Sequence, residues 1–143
     1  MKTHLFYLSI LLATLFFTAC NNQKEADKII GKWERFDDHA AGSILVVKKT
    51  GTNYEASLEH ISGVLSDYGF EIGDIKWRNI THIENNQYTG EDLLKSVDRT
   101  GEIVQTRYDA VGLSLVASDI LQLKGLEEGE ESIGTNQRWR RLK

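Results

Sequence analysis

The sequence predicts an all-β fold, a small antiparallel up-and-down barrel of about eight strands. Three observations carry that prediction. From Ile29 onward apolar and polar residues alternate with period 2, the pattern of a strand with one buried face. Turn residues interrupt the alternation at the roughly 8–12-residue spacing of a sandwich or barrel. The chain has 143 residues, 41% hydrophobic and 27% charged, a globular composition with room for one domain and not two. A sheet of this size with one wet face closes on itself and so removes its sticky edges.

Ile29–Phe36 reads as the first strand and Asp37–Gly42 as a polar loop. Ser43–Lys49 is apolar through Ile44, Leu45, Val46 and Val47, and Thr50-Gly51-Thr52-Asn53 turns the chain. Tyr54, Ala56 and Leu58 then alternate with Glu55, Ser57 and Glu59. Gly63–Gly73 is less regular and reads as an ordered loop or a short helix closing one end. Asp74–Glu84 returns to strand with Ile75 and Trp77 on one face, and Glu84-Asn85-Asn86 turns it into Gln87–Ser96. After a turn at Asp98–Gly101, Glu102–Tyr108 and Val111–Ala117 read as strand, broken at Asp109-Ala110. Ser118-Asp119 turns the chain into Ile120–Gly125. Glu127–Gly134 is an acidic loop, and Thr135–Lys143 is the last strand. The count is eight or nine strands.

The residues before the barrel have a different logic. Met1–His4 carries Lys2 and no acid. Leu5–Phe17 is apolar apart from Ser9 and Thr14, and Thr18-Ala19-Cys20 precedes a polar run, Asn21–Glu25. A basic start, a short apolar stretch and small residues make a secretory signal layout. The stretch is too short for the roughly 20 residues of a spanning helix. Phe17-Thr18-Ala19-Cys20 resembles the lipobox of bacterial lipoproteins. The resemblance implies that residues 1–19 are a signal peptide and that the Cys20 thiol takes diacylglycerol. Residues 20–28 are then a flexible tether and 29–143 the barrel. It also implies a cell-envelope address, with the membrane as a partner through the lipid. Asn21 stands where an Asp would resemble an inner-membrane retention signal, so the outer membrane is the expected site, on its periplasmic or its surface side. Gln23-Lys24-Glu25 resembles surface-export tethers. Removal of residues 1–19 takes Lys2 and no acid, leaving a net charge of −5.

Both ends of the barrel segment carry a second resemblance. Gly31-Lys32-Trp33 resembles the Gly-x-Trp near the start of lipocalins. Gly134–Arg141 resembles the Gln-x-Trp-x-Arg close of small exported bacterial lipocalin-like domains, and Asn85-Asn86-Gln87-Tyr88-Thr89-Gly90 looks like their middle hairpin. The resemblance implies a lipocalin-like barrel. In a closed meander the first and last strands are neighbours, so an Arg of the last strand can lie over the Trp33 indole. Alternation puts Arg141 on the face of Trp139, and Arg138 and Arg140 on the other. Trp33, Trp139, Arg140 and Arg141 are the expected closure residues, with Arg141 or Arg140 over Trp33.

Chemistry is poorly signalled. A net charge of −4 argues against a nucleic-acid partner. A single Cys excludes a disulfide scaffold or multi-Cys zinc site. Asp37-Asp38-His39 matches no metal spacing, and neither His60 beside Glu59 nor His82 forms a ligand set. Gly42-Ser43 and Gly112-Leu113-Ser114 lack the nucleophile elbow, and neither common phosphate loop occurs. The sequence therefore assigns no catalytic residue, no metal and no cofactor. Glu127, Glu128, Glu130 and Glu131 read as a solvated loop. Tyr54, Trp77, Tyr88 and Tyr108 fall on strands, where they either fill the interior or line a pocket for a small apolar or amphipathic ligand. The expected function is a non-catalytic binding module, with a filled barrel that docks an envelope protein as the alternative.

Overall fold

The computed structural model describes residues 24, 26–126 and 136–143. The signal peptide, Cys20, most of the tether and the acidic run over 127–134 lie outside these residues. Eight antiparallel strands form a closed barrel in simple meander order. They are β1 (Gly31–Phe36), β2 (Ile44–Thr50), β3 (Asn53–His60), β4 (Ile75–Glu84), β5 (Gln87–Val97), β6 (Ile103–Ala117), β7 (Ile120–Gly125) and β8 (Asn136–Arg141). A short helix, α1 (Gly63–Asp67), lies between β3 and β4. No helix among the described residues is long and apolar enough to cross a membrane.

Alternation explains most of the interior. Trp33, Leu45, Val47, Tyr54, Ala56, Leu113 and Trp139 alternate with wetter neighbours and are buried. Pairing of β1 with β8, Trp33 opposite Arg141 and Arg35 opposite Trp139, leaves no free edge.

Three details differ from the expectation and a fourth, left open, is decided. Ile29 belongs to a 3-10 turn, Asp27–Ile29, and β1 starts at Gly31. That turn is docked rather than tethering freely, because the Tyr54 hydroxyl donates to Asp27 at 2.7 Å and Ile29 is fully buried. The expected break at Asp109-Ala110 is absent. β6 runs unbroken for 15 residues, with Asp109 opposite Asp92 and Ala110 opposite Glu91. Arg107 holds the Asp109 carboxylate from the same strand at 2.9 Å, so the acid has a partner without leaving the ladder. The ambiguous segment after Gly63 is a helix of five residues followed by turns.

One irregularity positions the site. Ser57 faces Ile75, yet Ala56 faces Trp77, so β4 carries an extra residue there. That residue is Lys76. Such a bulge breaks strict alternation and re-aims a side chain. Lys76 accordingly points inward beside Trp77, and both are buried.

Candidate functional site

The two ends of the barrel differ. At one end the chain enters through the Asp27–Ile29 turn, and the β2–β3, β4–β5 and β6–β7 turns gather. This end is sealed. The Trp33 indole N–H donates to the Ile29 carbonyl at 2.9 Å. The Arg141 guanidinium lies 4.2 Å over the Trp33 ring and donates to the carbonyls of Ile30, at 2.8 Å, and Lys28. The neighbouring glycine is part of the fit. Gly31 has φ +137°, and a Cβ there would stand 2.8 Å from Arg141 Nη1. Of the two arginines that could reach the Trp33 indole, it is Arg141 that lies over it, opposite Trp33 in the β1–β8 register. Arg140 does not reach Trp33; it pairs with Glu34 across the same β1–β8 seam, on the solvent face, at 2.7 Å. Trp139 is buried within the barrel, edge-on to Trp77 with centroids 5.1 Å apart.

The other end opens into a cavity of about 540 Å³. The β1–β2 loop, α1 with the turns after it, and the adjoining parts of β5, β6 and β8 form its wall. Val64, Leu65, Phe70 and Leu94 give it an apolar side. Arg35, Lys76, Lys95 and Arg107 give it a cationic side, with Gln137 at its base. Its size is within the roughly 300–1,000 Å³ of small-molecule sites.

Beneath it lies a buried polar network. Lys76 Nζ donates to Asp92 Oδ1, a close ion pair, and to the Leu93 carbonyl at 2.6 Å. Asp92 Oδ2 accepts from Gln137 Nε2 at 2.9 Å. Gln137 Oε1 accepts from the Trp139 indole at 3.2 Å. Burial pushes the Lys76 amine below its ordinary range and the Asp92 carboxyl above its own, each opposed by the other's charge. Arg35 extends the network toward the mouth. Its Nε donates to Asp38 Oδ2 at 2.7 Å, and its guanidinium carbon lies 5.8 Å from the Trp139 ring centre. Lys95 Nζ binds Asp74 at 2.7 Å and the Gly69 carbonyl at 2.9 Å. Phe70 sits between two ammonium groups, 5.3 Å from Lys76 and 5.2 Å from Lys95.

None of the four aromatic residues expected to line a pocket lines this cavity. Tyr54, Trp77 and Tyr88 are packed into the core. Tyr108 alternates with the inward Val111 and Leu113 and so points outward, where Arg78 stacks on its ring at 3.6 Å and its hydroxyl donates to the Ile75 carbonyl. No family model, curated protein or solved structure matches the chain. The residues that do form the mouth escaped sequence reasoning, although a signal existed for two of them. Arg35 is two residues from Trp33, and Gln137 two from Trp139, on the same inward faces. Of the acids before His39, Asp38 is held by Arg35, and Asp37 pairs with Arg138 at 2.6 Å. Among the described residues no group of three or more His, Cys, Asp or Glu is arranged to hold a metal.

Proposed function

We propose that this protein is a lipid-anchored lipoprotein of the bacterial envelope, at the outer membrane, whose lipocalin-like barrel binds one small apolar or amphipathic molecule without chemical conversion. The observation that carries the binding reading is the cavity of about 540 Å³ at one end of a barrel sealed at the other. Its apolar side, Val64, Leu65, Phe70 and Leu94, supplies contact area, and its few polar groups supply orientation. The anchoring reading rests on Cys20, the only Cys, placed after a short apolar leader. Two or more acyl chains on it, at about 0.8 kcal/mol per buried methylene, give stable attachment.

Native mass spectrometry on protein purified from its own envelope tests the binding reading. A bound small molecule, recovered by organic extraction, supports it, and a clean apo mass with an empty extract counts against it. Labelling with a fatty-acid probe tests the anchor, which Cys20→Ser should abolish. The second reading, a filled barrel that docks another envelope protein, is favoured by the packed aromatic core and by exposed Ile72 and Val104, 66% and 63% accessible.

A further inference from the structure

We propose that the molecule taken at the mouth is an amphipathic anion, an apolar body with one compact oxyanion head seated on Arg35 and Lys76. This rests on the binding reading above and names the chemical class of its ligand.

Arg35 is the first reason. Its side chain is only 8% exposed, yet it lines the cavity. Nε and Nη2 both go to Asp38 Oδ2 at 2.7 Å. Among the described residues Nη1 meets no acceptor, and the Arg35 side chain lines the cavity. A guanidinium nitrogen so placed is a donor without a partner among the described residues, in a site where donors are costly to leave unmade. Lys76 is the second. Its Nζ gives two of three protons to Asp92 and the Leu93 carbonyl, and the bulge in β4 turns it onto the cavity floor. Buried as it is, this amine is a charged donor in a poorly screened place.

The arrangement of charge is the third reason. Among the described residues the cavity surface carries four cations, Arg35, Lys76, Lys95 and Arg107, and one acid, Asp38. The carboxylates that balance the other three are Asp92, Asp74 and Asp109, and they are not part of the lining. An entering group meets donors first. A carboxylate or phosphate accepts from an ammonium and a guanidinium with short, charge-assisted bonds, whereas the one carboxylate that a cation meets among the described lining residues, Asp38, is already held by Arg35. The apolar body then lies against Leu65, Phe70 and Leu94.

The test is fluorescence titration of the purified, processed protein with cis-parinaric acid, with its methyl ester, and with an alkyl phosphate displacing the bound probe. The acid should bind at least tenfold tighter than the ester, and the gap should narrow as salt is raised. Arg35→Gln should bring the acid down to the ester's level without moving the ester, and Arg35→Lys should restore part of the difference. Tighter displacement by the alkyl phosphate than by a carboxylate of equal length would point to a phosphate head, as in a lipid, still an oxyanion. Equal binding of acid and ester would overturn the anionic head while leaving a binding barrel. Binding of neither would overturn both. If Arg35→Gln does not fold, the acid–ester comparison on the native protein decides alone.

Discussion

Lys76 and Asp92 are the residues with most at stake for stability. Taking two charges out of water costs several kcal/mol each, and only good geometry offsets it. Removing one partner is therefore worse than removing both. Lys76→Met should destabilise the fold by about 3–5 kcal/mol at pH 7, because it strands a buried carboxylate. Lys76→Met combined with Asp92→Asn should recover most of that loss in denaturant unfolding, since the amide put in place of the carboxylate still accepts from Gln137 and carries no charge. The pH dependence follows from the direction of the shifts. Asp92 titrates above its ordinary value of 3.8, so between 3.8 and that raised value the native form binds more proton than the unfolded chain does. Its contribution is present below pH 3.8 and is lost as pH rises through the raised native value. Lys76 titrates below 10.5, so its contribution is present above that pH and is lost as pH falls through the lowered native value. The penalty of Lys76→Met should shrink on acidification as Asp92 takes up its proton. A penalty that is flat with pH would mean that the carboxylate is not the stranded group. None of this was legible in the sequence, because Lys76 follows Ile75 in an alternating strand and strict alternation puts it outside. Only the extra residue opposite Ser57 and Ala56 turns it in, and no local motif announces that bulge.

Among the elements, β8 shows what alternation can and cannot deliver. It separates Arg141 from Arg140 correctly, but leaves open which of them reaches Trp33 until the register with β1 is known. With Trp33 opposite Arg141, the choice is made. Arg140→Ala should leave the melting temperature unchanged within error. Arg141→Ala should lower stability by about 2–4 kcal/mol, the sum of a partly desolvated cation–π contact and charge-assisted bonds to two carbonyls. Trp33→Ala should cost about 3–5 kcal/mol as a large core deletion. Gly31→Ala should fall near the Arg141 variant in thermal unfolding, because its methyl would drive the guanidinium off its seat. β1, β2, β3, β7 and the turns at Asn85-Asn86 and Ser118-Asp119 were all legible from period and turn chemistry. β6 was not read whole because Asp109 is a poor strand former, and its cross-strand neighbours and the Arg107 contact are invisible in one dimension.

Across the whole molecule, the meander explains why one end can hold a ligand. Short turns collect at the end with Trp33, and the longer connections, Asp37–Ser43 and Ile61–Asp74, collect at the other. Trp33 and Arg141 close the sealed end, and the mouth keeps Arg35, Lys76, Lys95 and Arg107 for recognition. The barrel and its closure were readable because burial imposes a period on the sequence. The mouth was not, because its cations come from four strands and meet only after the ring closes. Ligand binding should raise the melting temperature in proportion to RT ln(1 + [L]/Kd), by about 2.7 kcal/mol of stability at one hundred times Kd. Calorimetry with and without cis-parinaric acid measures it. No upward shift at saturating probe would contradict an occupied mouth.

The clasp of Arg141 on the Ile30 carbonyl has a consequence for how the chain is born. Its two partners stand 111 positions apart. At synthesis rates of roughly 5–20 residues per second, the first strand waits about 6–22 s on the ribosome before its closing neighbour exists. During that interval its outer rim of backbone groups is an unguarded template for stray pairing. Long-range closure of this kind is also intrinsically slow. A nascent chain of this protein should therefore depend on whatever shields it until the final six-residue strand arrives. A copy truncated before Asn136 should aggregate rather than populate a smaller version of the same fold.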